Sequence, residues 1–102
     1  MDYVYSIKVD AGKLSAGALM TIKRLTGLSL GGIKEAAMND RAVFGCDCVD
    51  DEGLLLIRRL HDELAEIGVP TKIYWYESEE PYQNLLNLIQ MHREIDEEDF
   101  PD

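Results

Sequence analysis

The stretch "VDDEGLLLIRRLHDELAEIGVPTKIYWY", Val49 to Tyr76, constrains the fold more than any other part of this chain. Ile57, Leu60, Leu64 and Ile67 recur at spacings of three and four, which puts them on one stripe of a helix. Asp50 stands where an N-cap belongs, with Val49 and Leu54 at the two positions of a hydrophobic staple. Arg58 with Asp62 and Arg59 with Glu63 are i,i+4 ion pairs for the wet side. Gly68 and Pro70 stop the helix. Thr71, Ile73 and Trp75 then alternate with Lys72, Tyr74 and Tyr76, the period of a strand. A one-sided helix that runs almost directly into a strand buries its stripe by folding back on a sheet containing that strand.

The earlier residues supply the other parts of such a sheet. In "YVYSIKV", Tyr3, Tyr5, Ile7 and Val9 share one face, and Val4, Ser6 and Lys8 share the other. Ser15 caps a helix over Ala16 to Thr26, with Leu19, Ile22 and Leu25 or Thr26 inward, and Gly27 closes it as a left-handed cap. Ser29 opens a second short helix through Leu30, Ile33 and Ala37, which Asn39 ends. "RAVFGCDCV" reads as a strand with Ala42, Phe44, Cys46 and Cys48 on one face. The expectation is an α+β domain over residues 1–76 in two layers, ordered β-α-α-β-α-β. It has a three-stranded sheet with helices on one face.

Residues 77–93 then predict an additional amphipathic helix, with Pro81 in its first turn. Tyr82, Leu85, Leu86 and Ile89 line one side, broadened by Leu88 and Met91. That apolar face is expected over the sheet's second face, against Val4, Val43, Tyr74 or Tyr76, with homodimerisation as the alternative. Residues 94–102 read as a flexible acidic tail.

The formal net charge is −10 over 102 residues, and it is unevenly spread. Residues 1–76 hold 11 acids and 9 bases, whereas residues 77–102 hold 9 acids and the single base Arg93. Phosphate binding needs Lys and Arg, so direct nucleic-acid binding is not expected. A basic protein is the natural complement. No apolar run reaches the roughly 20 residues that span a bilayer, and no signal peptide opens the chain, so a cytoplasmic protein without membrane contact is expected.

Little in the sequence points to catalysis. His61 reads as a surface residue and His92 as a residue near a helix end, and neither stands near a nucleophile in sequence. "GLSLGG" lacks the Lys-Ser/Thr of a phosphate-binding loop. Cys46 and Cys48, on one face of a strand and about 6.5 Å apart, are too far for a relaxed disulfide and read as small core residues. A metal site built on them with Asp47 and Asp50 would want a second ligand pair, which the sequence lacks. A non-enzyme without cofactor or metal is expected.

The joint "LTGLSLGGIKEA" resembles the C-terminal domain of the bacterial ribosomal large-subunit stalk protein. Thr26, Gly27, Leu28, Leu30, Lys34, Glu35 and Ala36 follow that family's pattern, with an extra Gly-Gly. The segment from Val49 to Tyr74 is similar to its last helix and strand. The Clp-protease adaptor ClpS shares the arrangement. The resemblance covers about residues 3–76 and implies a docking module whose first two helices meet partners, Leu19 and Lys23 matching that surface.

Two functions follow as expectations. One is an acidic protein-binding module, an immunity protein or antitoxin that covers a basic toxin domain such as a nuclease. Its contacts would be Glu77, Glu79, Glu80, Asp96, Glu97, Glu98 and Asp99, with Tyr74 and Tyr76 as apolar anchors. Trp75 reads either as packing or as an exposed anchor with an acidic rim. The other is a ribosome- or Clp-associated adaptor that docks through Leu19, Ile22 or Lys23. The oligomeric state is expected to be monomer or homodimer.

Overall fold

A computed structural model describes residues 4–98 and shows an α+β fold. The elements are β1 (Tyr5–Val9), α1 (Ala16–Thr26), α2 (Leu30–Met38), β2 (Phe44–Cys46), α3 (Asp51–Glu66), β3 (Thr71–Trp75), β4 (Ser78–Glu80) and α4 (Tyr82–Glu98), with a short 3-10 turn at Ala11–Lys13. The sheet has four strands in the order β2-β1-β3-β4, antiparallel throughout. Ile7 stands opposite Phe44 on one side and Ile73 on the other, and Tyr5 opposite Cys46 and Trp75.

The sheet therefore differs from the expected three-stranded one. The segment "ESEE", read as the approach to a helix, makes a two-residue turn at Tyr76 and Glu77 and returns as β4. Tyr76 has φ 54°, the positive value at the first loop residue that a tight hairpin asks for. Glycine or asparagine usually signals such a turn, so a tyrosine hid it. The additional helix starts at Tyr82 and continues through Glu98, past the expected start of a tail at residue 94. Tyr3 and residues 99–102 lie outside the described residues.

The caps follow the sequence closely. The Ser15 hydroxyl accepts from Ala18 N at 3.1 Å, Ser29 from Gly32 N at 3.1 Å, and the Asp50 carboxylate from Gly53 N at 2.9 Å. Gly27 closes α1 at φ 78°, where a side chain would be strained. Two expected details differ. Val49 is exposed, so the staple with Leu54 does not form, and Ile67 is half-exposed, its place in the core taken by Val69. β2 is also shorter than the predicted strand, at three residues.

One core runs between sheet and helices. Tyr5, Ile7, Val9, Cys46 and Ile73 meet Ala18, Ile22 and Ile33 from α1 and α2 and Leu54, Ile57, Leu60 and Leu64 from α3. α3 touches β1, β2, β3, α1 and α4. Burying each large aliphatic contributes about 1.5–3 kcal/mol, so the α3 stripe is the largest single block of apolar burial.

α4 lies along α3, not over the sheet's second face. Leu85 (0 % exposed) and Ile89 (6 %) join the same core, so α3 covers that part of the amphipathic stripe, whereas Met91 on its broadened edge stays exposed. The other side of the sheet carries Ser6, Lys8, Lys72 and Tyr74. There the Lys8 ammonium sits 4.5 Å from the Tyr74 ring centre and 3.6 Å from Asp40 Oδ2.

Two substitutions test this packing. At Gly53 an added Cβ would lie 2.5 Å from Cys46 Cβ and 2.8 Å from Asp50 Oδ2, where α3 presses on the sheet. Gly53→Ala, ordinarily helix-stabilising by about 1 kcal/mol, is expected instead to lower unfolding free energy by about 1–3 kcal/mol in urea titration. Leu85→Ala should cost about 2–5 kcal/mol if α4 shares the core, against almost nothing if it only hangs on the surface.

Candidate functional site

The expected site residues divide into three groups once placed. Tyr76 and Glu77 form the tip of the β3–β4 hairpin, and both are exposed. Glu79 stands exposed in the middle of β4, opposite Tyr74. Glu80 is half-buried and accepts a hydrogen bond from Asn84 Nδ2 at 3.2 Å, which helps turn β4 into α4. Tyr74 is half-buried, with the Lys8 ammonium over its ring. Asp96, Glu97 and Glu98 belong to the last turns of α4, away from the hairpin in sequence, and Asp99 is outside the described residues.

Trp75 is more exposed than its neighbour Tyr74. By alternation Trp75 shares a sheet face with Tyr5 and Ile73, and its ring lies 5.6 Å from the buried Tyr5 ring. Yet it is 43 % exposed, because it sits at the last residue of β3, by the turn. Its ring is 6.3 Å from that of Tyr76, which is 58 % exposed. The tip thus presents two adjacent aromatic surfaces beside the carboxylates of Glu77 and Glu79. The alternation read from the sequence gives the correct face for Trp75, but not where the helical cover ends.

The seam between α3 and α4 positions α4. The Tyr82 hydroxyl donates to Asp62 Oδ1 at 2.6 Å, and His61 Nδ1 lies 3.1 Å from the same oxygen. The His61 and Tyr82 rings stack with centres 3.6 Å apart and planes 16° apart. Arg58 Nε stands 3.8 Å from Asp62 Oδ2. Further along, His92 Nδ1 is 2.5 Å from Asp51 Oδ1 at the first residue of α3. α4 therefore runs antiparallel to α3 and is tied to it at both ends. Partial burial pulls the Asp62 carboxyl upward, but the hydrogen bonds from Tyr82 and His61 and the nearby charges of His61 and Arg58 outweigh it and hold the group below its ordinary value. The partner shift is larger. Burial first, then the bond to Asp62, pushes the Tyr82 phenol up to about 12. On α3's other side Arg24 bonds Glu63, which also pairs with Arg59, so α1 is tied to α3 through charge as well as packing.

The remaining chemistry is sparse. Cys46 is buried, and that burial, with Asp50, Asp47 and Cys48 nearby, pushes its thiol up to about 12, which suits a packing residue and not a nucleophile. Both cysteines are free. Among the described residues no cluster of three or more His, Cys, Asp and Glu could hold a metal ion. Among them, too, no helix is long and apolar enough to cross a membrane.

Tyr82→Phe keeps the ring stack and removes the bond to Asp62. The folded Asp62 pKa is below the unfolded one, so its contribution is present above the unfolded pKa and lost as pH falls through the folded value. With the Asp62 side chain half-exposed, the loss at neutral pH is expected to be only about 0.5–1 kcal/mol in urea titration. The two proteins should converge in stability once the solution is acidic enough to protonate Asp62 in both, and a difference that persists there would contradict the assignment.

No family model matches the chain, and no curated protein and no solved structure matches it.

Proposed function

We propose that this chain is a small acidic protein-binding module, an immunity protein or antitoxin that neutralises a basic toxin domain by occlusion and charge complementarity. A cationic nuclease surface is the kind of target it suits, and the cytoplasm the compartment. The observation that carries the reading is the hairpin tip, where Trp75 and Tyr76 are exposed side by side next to Glu77 and Glu79. Exposed aromatics of this kind dominate binding energy at interfaces, while rim carboxylates speed encounter with a positive partner. The charge of −10 gives the long-range attraction its sign.

A second reading has an observation of its own. Met20, Leu28 and Leu30 are exposed around the α1–α2 joint, with Lys23 and Lys34 exposed on the same two helices. That surface suits a ribosome- or Clp-associated adaptor, in keeping with the stalk-domain-like joint at Thr26 to Ala36.

The experiment is to capture the partner from the cell's own lysate and measure association and dissociation across salt concentration. The proposal expects an association rate that falls steeply as salt rises. Trp75→Ala and Tyr76→Ala should each weaken binding about tenfold or more, chiefly through faster dissociation. Glu77→Lys with Glu79→Lys should slow association instead. An on-rate indifferent to salt, or binding lost on Leu30→Glu and kept on Tyr76→Ala, would move the assignment to the α1–α2 joint.

A further inference from the structure

Tyr76 is a costly residue for the place it holds. It is the first residue of the two-residue turn between β3 and β4 and has φ 54°, a positive value that Glu77 after it does not share. Glycine is usual at such a first position, because a Cβ is strained at positive φ. Burial could offset the strain, but Tyr76 is 58 % exposed. Strained backbone of this kind gathers where a site needs a particular side chain. The ring is also held in place. Tyr76 N donates to Val4 O at 2.7 Å, which fixes the turn against the start of β1. Its ring is inclined at 47° to that of Trp75, and Trp75 rests in turn on the buried Tyr5 ring.

The described surroundings of this ring pair are anionic. Residues 73–91 hold Glu77, Glu79 and Glu80 and no Lys, Arg or His. Glu77 follows Tyr76 in the turn and is exposed. Ser78 is the cross-strand partner of Trp75, and by alternation Glu80 shares its face of the sheet. Burial first, then the charge of Glu80, raises the Tyr5 phenol above its ordinary value, so this carboxylate acts on the ring that backs Trp75. The sheet's lysines, Lys8 and Lys72, pair with each other three residues further along, about 10 Å away, and on the opposite face.

We propose that Trp75 and Tyr76 capture an arginine side chain of the basic partner, its guanidinium plane lying on a ring face and its N–H donors reaching the Glu77 carboxylate. Aromatic faces attract cations through the ring quadrupole. A guanidinium is planar, weakly hydrated and stacks on rings, whereas an ammonium keeps its water more strongly, so an open ring pair selects arginine over lysine. The inference rests on the basic partner proposed above and names the side chain that the hairpin tip takes from it.

The test uses the full chain and two labelled synthetic peptides of equal length and charge, four repeats of Arg-Gly-Gly and four of Lys-Gly-Gly. Fluorescence anisotropy at fixed salt should show the arginine peptide binding about threefold or more tightly than the lysine peptide. The arginine peptide should also change the emission of Trp75, the single tryptophan of the chain. Trp75→Leu, with folding checked by circular dichroism, should remove the preference and leave the lysine peptide's affinity nearly unchanged. Tyr76→Gly should weaken the arginine peptide about threefold and yet raise the urea midpoint, because it relieves the turn. Equal binding of the two peptides, or a preference that survives Trp75→Leu, would overturn the capture of arginine and leave the charge-complementary reading standing. A lower urea midpoint for Tyr76→Gly would also overturn it, since the tyrosine would then serve the fold. If neither peptide binds, both this inference and the basic partner fail.

Discussion

Burial of the α3 stripe is the interaction on which the rest of this molecule depends. Leu54, Ile57, Leu60 and Leu64 are each at most 1 % exposed, and the helix that carries them touches three strands and two other helices. Its N-terminus presses so closely on β2 that Gly53 has no room for a Cβ beside Cys46. Its wet side is also in use. Asp62 and Asp51 hold α4, and Glu63 holds α1. In a domain of about 100 residues, whose net stability is a small difference between large terms, few elements can carry so many contacts.

Because α4 is packed on this helix, the acidic part of the chain belongs to the fold. Leu85 and Ile89 place α4 in the core, and its contacts with α3 run from Tyr82 against Asp62 to His92 against Asp51.

Much of the framework was legible before any coordinates. The strand alternation at Tyr5, Ile7 and Val9, the caps at Ser15, Ser29 and Asp50, and the stripe at Ile57, Leu60 and Leu64 all rest on local rules, and local rules survive folding when packing agrees with them. What was missed depended on tertiary context. Tyr76 adopts a positive φ that its identity does not advertise, so β4 was hidden inside an acidic run. The apolar stripe of α4 showed that the helix must be covered but not by what, because periodicity marks a buried side without naming the element that covers it. Tyr74 and Trp75 were distinguishable by face but not by exposure. Trp75 lies on the core side and is still open, whereas Tyr74 lies on the open side and is half-covered by Lys8. Of the expected carboxylates, Glu77 and Glu79 stay beside the tip, Glu80 turns to Asn84, and those of residues 96–98 belong with α4.

The central claim, that the acidic segment and the α3 platform form one cooperative unit, is tested most directly by native-state hydrogen exchange. Amides in the middle of α4, around Leu85 to Ile89, should exchange as slowly as those of α3 from Ile57 to Leu64. Both sets should share one dependence on added denaturant, because both open only by global unfolding. Exchange in α4 that runs orders of magnitude faster and ignores denaturant while α3 stays protected would mean that α4 peels away alone, and the account would be wrong at its base.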